Sequence, residues 1–392
     1  MRPAASHAMR AGLASAWNYV GRVLGLGWTL AVVHGLGIGS YGQYAVAVSI
    51  AAIVNAAVDN AFHVRSLRID DDRYERERAG RVIVAAALGA IGSVCVTQWF
   101  VLGFAGMIAA GEMLFNTWKS RLLRRGRPDV AMRADAARQT SSILLGLVGL
   151  YAVPDSTLPV AGTLYALPYL VVAALCVRFV TGRRPALPER VPEFLLLTSE
   201  ALAAAVYTQG DVVLVGWVAG ETAAGYYSLA VVAALAISTI GQNYANTYLE
   251  KMRAAAGHHS SGPRFRDTLR AGALTGLSMA VVGAGLLAWG GADATGTIAV
   301  VLSVFVAART VNFVLVTLLI VQRRDGLRVR ATVTAAVVKS AVLLVVIGPL
   351  GGIGAAVVST ICELVLVFVY HRAVFGPRTP PHRLPQPERT YR

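Results

Sequence analysis

Long apolar runs alternate with short polar breaks along this chain. Twelve runs stand out, at residues 12–34, 41–64, 82–102, 104–122, 137–153, 157–178, 194–217, 225–248, 269–289, 296–321, 331–348 and 353–371. Each is close to the ~20 residues a helix needs to cross a hydrocarbon core of roughly 30 Å. The ~10-residue alternation of an outer-membrane strand is absent from the sequence pattern, which argues against a β-barrel. The pattern predicts an all-α polytopic membrane protein with twelve transmembrane helices. Only Gly103 separates the third run from the fourth, and charge decides how they connect.

Basic residues gather in every second break. Arg65, Arg68, Arg73, Arg76, Arg78 and Arg81 precede the third run, and Lys119, Arg121, Arg124, Arg125, Arg127, Arg133 and Arg138 follow the fourth. Cytoplasmic loops carry such an excess. Both breaks then lie on one side, and 82–122 must be a hairpin. Arg178, Arg184, Lys251, Arg264, Arg323, Arg328 and Arg372 continue the alternation, while the breaks near 35–40, 103, 154–156, 218–224, 290–295 and 349–352 hold no Lys or Arg. Twelve crossings with both termini cytoplasmic satisfy this parity, in the plasma or inner membrane of a bacterium. The expected organisation is a cytoplasmic N-terminus at 1–11, a first lobe at 12–180 and a linker at 181–193. A second lobe at 194–375 and a disordered Pro/Arg-rich tail at 376–392 complete it.

Composition agrees: 56% of the 392 residues are hydrophobic and only 15% are charged. The net charge of +15 punctuates apolar spans rather than forming one face, so it marks orientation and not nucleic-acid binding. Only three of the 36 basic residues are lysines, which fits a GC-rich genome. Cys95, Cys176 and Cys362 are isolated in apolar runs and read as buried small hydrophobes, and no metal spacing is present. His258 and His259 read as a solvated loop. Arg22 interrupts the apolar region that a cleaved signal peptide would need, so Leu13 onward is taken as a retained span. Trp28, Tyr41, Tyr44, Trp217, Tyr226, Tyr227 and Trp289 are expected as interfacial anchors.

The halves echo one another. With Gly42 placed on Gly225, Tyr44 meets Tyr227, Ala47 meets Ala230, Val48 meets Val231 and Asn60 meets Asn243. With a first loop six residues longer, Gly21 meets Gly210, Gly27 meets Gly216 and Trp28 meets Trp217. Six spans per half is even, so the repeats are parallel and related by a pseudo-two-fold axis along the membrane normal.

Gly42-Gln43-Tyr44-Ala45, an Asp-containing seventh span followed by Gly225-Tyr226-Tyr227-Ser228, and Pro349-Leu350-Gly351-Gly352 before the last span carry a family resemblance. They resemble the polysaccharide-unit flippases of the multidrug/oligosaccharidyl-lipid/polysaccharide exporter superfamily over essentially the whole chain. Asp59-Asn60-Ala61 differs from the Asp-x-Gly turn frequent there. The resemblance implies two six-helix lobes facing a central cavity that opens alternately to each side. Its cargo would be an undecaprenyl-pyrophosphate-linked oligosaccharide moved from the inner to the outer leaflet. Implied partners are the lipid bilayer, the lipid-linked oligosaccharide, and a polysaccharide polymerase or glycosyltransferases. No cofactor beyond a coupling H+ or Na+ is expected, and the protein is expected to be monomeric.

Charges inside the spans each need a reason, since each costs about 2.5–3.5 kcal/mol on insertion scales. Arg22, Arg309 and Lys339 are candidate cavity cations for a diphosphate, which Arg grips with a bidentate fork and Lys as a point charge. Asp211, Glu112 and Glu363 are candidate coupling or gating acids. Lys339 and Glu363 lie at similar depth on a tight hairpin, so a structural ion pair there is an even alternative. Arg22 and Asp211 invite a pair across the lobes, as gate, coupling site or static bridge. Asp59 and Glu200 lie near a membrane face and are read as snorkelling or capping groups. Asn116 lies one turn from Glu112, and a helix–helix polar contact is the bland reading for both.

Three other functions were weighed. An ion-coupled multidrug antiporter of the same superfamily would favour acids over three buried cations when its cargo is cationic. A membrane glycosyltransferase or polymerase needs a larger aqueous domain than these short outer loops allow, so enzymatic activity is not expected. An ATP-driven exporter would need a separate ATPase, because no lysine here follows a glycine as a Walker A motif requires.

Overall fold

The computed structural model describes residues 3–66, 69–182, 184–188, 191–255 and 261–376. The side chains of 3–16, 18–19, 22, 60, 63–64 and 191–193 also lie outside the described set, as do the tail from 377 and His258–His259. The described chain is helical throughout: α1 (Pro3–Ser66), α2 (Asp71–Cys95), α3 (Phe100–Arg124), α4 (Pro128–Tyr151), α5 (Leu158–Ala166) and α6 (Pro168–Val177). The second half follows as α7 (Val191–Val218), α8 (Glu221–Thr247), α9 (Leu249–Ala254), α10 (Phe265–Ala288), α11 (Asp293–Val321) and α12 (Asp325–Phe375).

Nine segments among the described residues are long and apolar enough to cross a membrane. Two of these are double. α1 breaks at Gly37, whose φ of 83° suits a residue without Cβ, and α12 breaks at Gly351, φ 54°, two residues after Pro349. Each therefore has two arms that form a hairpin, and the chain makes twelve crossings once α4 is added. α4 is less apolar because its first half carries Asp129, Arg133, Asp135 and Arg138.

Several boundaries differ from the sequence reading; α2 begins at Asp71, so Arg73, Arg76, Arg78 and Arg81 are helical rather than loop residues. The third and fourth crossings turn at 96–99, not at Gly103, which sits inside α3 where a side chain would overlap Val96. The fifth crossing begins at Pro128, so Arg133 and Arg138 are helical rather than loop residues. The sixth is split between α5 and α6, where Pro168 has no amide to continue the ladder. At the start of α2, the Asp70 carboxylate accepts the Arg73 amide at 2.8 Å. That hydrogen bond holds the Asp70 pKa below its ordinary value.

Two six-helix lobes result. In the first, the arms of α1 pack on α4 and α3, α2 pairs with α3, and α3 meets α5 and α6. In the second, α7 packs on α12, α8 on α11, α10 on α11, and α11 on α12. The two neighbour patterns correspond element for element. Small residues set the tightest pairs, as bilayer packing favours. Gly92 and Gly106 face each other between α2 and α3, and Gly272, Gly276 and Gly283 bring α10 against Ala307, Ser303 and Val300 of α11.

The lobes meet through α1 against α7 and α8. A side chain on Gly42 would overlap the carbonyl oxygen of Glu221, and one on Gly225 would overlap that of Ile38. Residue 42 aligns with 225, and 38 then aligns with 221, so the two contacts are reciprocal. Such exchange of partners is the mark of a two-fold interface. Gly216 lies against Val46, Gln43 Nε2 donates to Glu221 Oε2 at 2.7 Å, and Ser49 Oγ donates to Gln209 Oε1 at 3.2 Å. This seam sits at the end with the short loops that hold no Lys or Arg.

The aromatic residues expected at the membrane interface divide. Trp217 and Trp289 are exposed, but Trp28, Tyr41 and Tyr227 are buried between helices. Trp28 stacks on Tyr165 with centroids 5.1 Å apart and fills the space above Gly146. Helix packing takes these rings because their positions face neighbouring helices rather than lipid.

Candidate functional site

α7 carries Tyr207 and Asp211 one turn apart, on the side that faces the first arm of α12. Lys339 Nζ donates to Asp211 Oδ2 at 2.9 Å and to the Tyr207 carbonyl oxygen at 2.8 Å. Tyr227 of α8 donates its hydroxyl to the same Asp211 oxygen at 2.7 Å, and Ser359 Oγ of the second arm of α12 lies 3.2 Å from it. Asp211 and Lys339 are 4% and 3% exposed. Four crossings of the second lobe are thus tied by one buried ion pair. A buried charge must find a partner, because desolvation costs several kcal/mol per ion.

Glu363 lies beside this pair, facing α11. It accepts Arg309 Nη1 at 2.5 Å and Asn312 Nδ2 at 2.5 Å, and its backbone carbonyl accepts Asn312 Nδ2 at 3.1 Å. Arg309 is flanked by the rings of Phe305 and Phe313, each 5.5 Å from its guanidinium. The Arg309 side chain is 16% exposed, and its Nε has no hydrogen-bond partner. Asn312 Oδ1 is likewise unpaired. This half of the cluster keeps unspent hydrogen-bonding capacity, and the Asp211 half does not.

The first lobe holds a separate network. Tyr169 donates to Glu112 Oε1 at 2.5 Å. Arg138 binds Tyr169 Oη at 2.6 Å, Asp135 Oδ1 at 2.9 Å and Glu112 Oε1 at 3.1 Å. Towards the basic loops, the Asp59 carboxylate pairs with Arg81 and accepts Asn116. In the second lobe, Arg328 pairs with Glu200 at 2.5 Å.

These contacts revise the expected pairing. Lys339 and Glu363 do not form an ion pair; Lys339 takes Asp211 and Glu363 takes Arg309. The two residues lie twelve positions either side of Gly351, so their depths do match. Depth alone does not choose the partner, because one arm faces α7 and the other faces α11. Arg309 therefore has an acid, supplied by the twelfth crossing and not by its hairpin mate. Arg22 lies in α1 with its side chain outside the described residues, and so does the proposed Arg22–Asp211 pair. Asp59 and Glu200 are paired rather than free to snorkel. Arg81, Arg138, Tyr207, Tyr227 and Ser359 are not among the site residues expected from sequence. Arg81 and Arg138 sit at the margins of apolar runs, where counting them as loop charges hides that they point inward.

The arrangement is a two-lobe, all-helical, membrane-spanning fold with buried ion pairs in each lobe. Solved structures share it. The lipid II flippase MurJ in an inward closed conformation superposes with a TM-score of 0.72, at 11% identity, over 92% of this chain and 87% of that one. An inward-facing multidrug resistance transporter of the MATE family, MOP superfamily, gives 0.61 at 14% identity, over 91% and 92%. An outward-facing one of that description gives 0.53 at 14% identity, over 92% and 93%. No family profile matches the sequence, and no curated protein matches it either. The fold is similar to that of these solved structures, two of which are described as MOP-superfamily transporters, and no strand is present among the described residues.

Proposed function

We propose that this protein flips an undecaprenyl-pyrophosphate-linked oligosaccharide from the inner to the outer leaflet, for cell-surface polysaccharide synthesis. The observation that carries the reading is the likeness of the whole two-lobe body to a lipid II flippase. A bilayer-spanning interior with buried cations supports it, since a diphosphate needs positive charge in low dielectric. On the positive-inside bias the basic loops would face the cytoplasm, and the Gly42–Gly225 seam would then close the outer side. The higher score against the inward-facing MATE structure agrees.

Transport runs by rocking of the lobes about this seam, as in repeat-built transporters. Arg309, partly exposed and with its Nε unpartnered, would take a phosphate oxygen, and Arg22 of α1 is the first lobe's candidate for the same role. Lys339 is held within its lobe by Asp211 and organises the bundle in this conformation. Glu112 and Glu363, each in contact with an arginine, are the acids through which a proton or sodium gradient would act, with Asp211 released only if Lys339 moves.

The test is a reconstituted flipping assay with fluorescent lipid-linked oligosaccharide. Arg22→Gln combined with Arg309→Gln abolishes flipping per folded molecule. Full flipping by that double variant overturns the headgroup role. Export of a cationic dye by a protein that does not flip the lipid would favour the multidrug antiporter.

A further inference from the structure

At the basic-loop end of the first lobe lies a pocket of about 520 Å³ that the reading above does not use. Its polar lining comes from Asn55 and Asp59 of α1, Arg81 of α2, and Asn116 and Lys119 of α3, with Phe62 as its apolar wall. Arg81 is the notable member. Its side chain is 4% exposed and stacks 4.2 Å over the Phe62 ring, yet its Nε has no partner. Asn55 lines the same pocket. Buried polar groups are nearly always satisfied in a folded protein, so unspent ones around an open pocket point to a ligand.

The charges indicate which ligand. Two cations and two side-chain amides surround a single carboxylate, Asp59, which occupies Arg81 and Asn116 together. Lys119 is held only loosely, 3.7 Å from Asp135. Depth adds a second constraint. Asp59 is seven residues from the end of α1, roughly 10 Å at 1.5 Å per residue, which is the level of an inner-leaflet headgroup. Ala56 also lines the pocket and lies at heptad spacing from Gly42 and Ser49, so the pocket borders the face that meets the other lobe.

We infer that this pocket seats a phosphate group, with Asp59 as the resident anion that the ligand displaces from Arg81 and Asn116. On the flippase reading it receives the diphosphate of the lipid-linked substrate from the inner leaflet, before the central cations Arg22 and Arg309 take it. The seat is distinct from those residues and lies wholly in the first lobe.

The test uses the full chain in lipid nanodiscs, with geranyl pyrophosphate as probe and geraniol as its neutral control. The wild type binds geranyl pyrophosphate and not geraniol, and inorganic pyrophosphate competes. Lys119→Gln weakens binding about ten-fold or more, the usual weight of one charge-assisted contact. Asp59→Asn tightens it by removing the competing anion. Arg81→Gln is paired with Asp59→Asn, so that no buried charge is stranded, and the double variant loses binding. Wild-type affinity in both Lys119→Gln and the double variant, or loss of binding only in Arg309→Gln, overturns the assignment. The flipping assay separates the two readings. Wild-type flipping together with unaltered binding and flipping in Lys119→Gln refutes the pocket alone. Binding that depends on Lys119 in a chain that flips nothing refutes the transport reading and leaves the phosphate seat standing.

Discussion

Replacing Lys339 by methionine removes the only described cation beside Asp211 and leaves a carboxylate that is 4% exposed. Tyr227 and Ser359 still donate to it, but two hydroxyls do not neutralise a charge in hydrocarbon. Breaking one side of a buried ion pair costs about 3–5 kcal/mol. That is a large share of the ~5–15 kcal/mol stability typical of folded proteins. Asp211→Leu should cost a similar amount, because it strands the ammonium against the Tyr207 carbonyl alone. The double variant, Asp211→Leu with Lys339→Met, should recover most of the loss, since an apolar pair of similar volume is often neutral or better. Denaturant or thermal unfolding in a defined detergent, run as a double-mutant cycle, measures the coupling. A coupling of at least ~2 kcal/mol is expected, against under ~0.5 kcal/mol for the Arg22→Gln and Asp211→Leu combination. Single variants that each cost less than ~1 kcal/mol, or strong coupling between Arg22 and Asp211, would refute the pairing described here.

Three further outcomes follow from the geometry. A Cβ on Gly39 would lie 3.5 Å from Thr222 Oγ1. Gly39→Cys with Thr222→Cys, in a chain with Cys95, Cys176 and Cys362 replaced by alanine, should therefore crosslink under mild oxidant and stop transport until reduced. Uncrosslinked protein, read by gel mobility, would contradict a closed seam. Gly42→Val and Gly225→Val each force a side chain into a carbonyl of the opposite lobe, so they should raise thiol labelling of a reporter cysteine at Thr222 by opening that end; unchanged labelling would count against the reciprocal contact. Glu112→Gln replaces a carboxylate that holds both Tyr169 and Arg138, and should lower stability by about 1–3 kcal/mol in the same unfolding assay. A Glu112→Gln chain as stable as the wild type would remove the first-lobe network as a structural element.

Much of the architecture was legible in sequence because the bilayer constrains it so strongly. A crossing has a minimum length, and its flanking charges obey a parity. Apolar run length and the alternation of basic loops therefore predict twelve helices, and they identify 82–122 as a hairpin although its turn was misplaced by a few residues. Aligning Gly42 with Gly225 predicted a repeat, and the structure places those two glycines in reciprocal contacts across the lobes. They need to be glycines there because backbone approaches backbone.

Partner choice among the buried charges was not legible. Lys339 and Glu363 share a depth, and sequence places depth along a helix well. Which neighbour a side chain meets depends on how the helix is rotated and which helix lies beside it. Those are set by small-residue packing between elements over a hundred residues apart, as between Asp211 and Lys339. The same reason turned Arg81 and Arg138 from loop charges into interior ones, and Trp28 and Tyr227 from membrane anchors into packing residues. Sequence alone determined how many times this chain crosses the bilayer, where its charges are rare, and that its halves are related. Only the tertiary structure decided which charges neutralise one another, because that choice is made by helix rotation and contact, which leave no periodic trace along the chain.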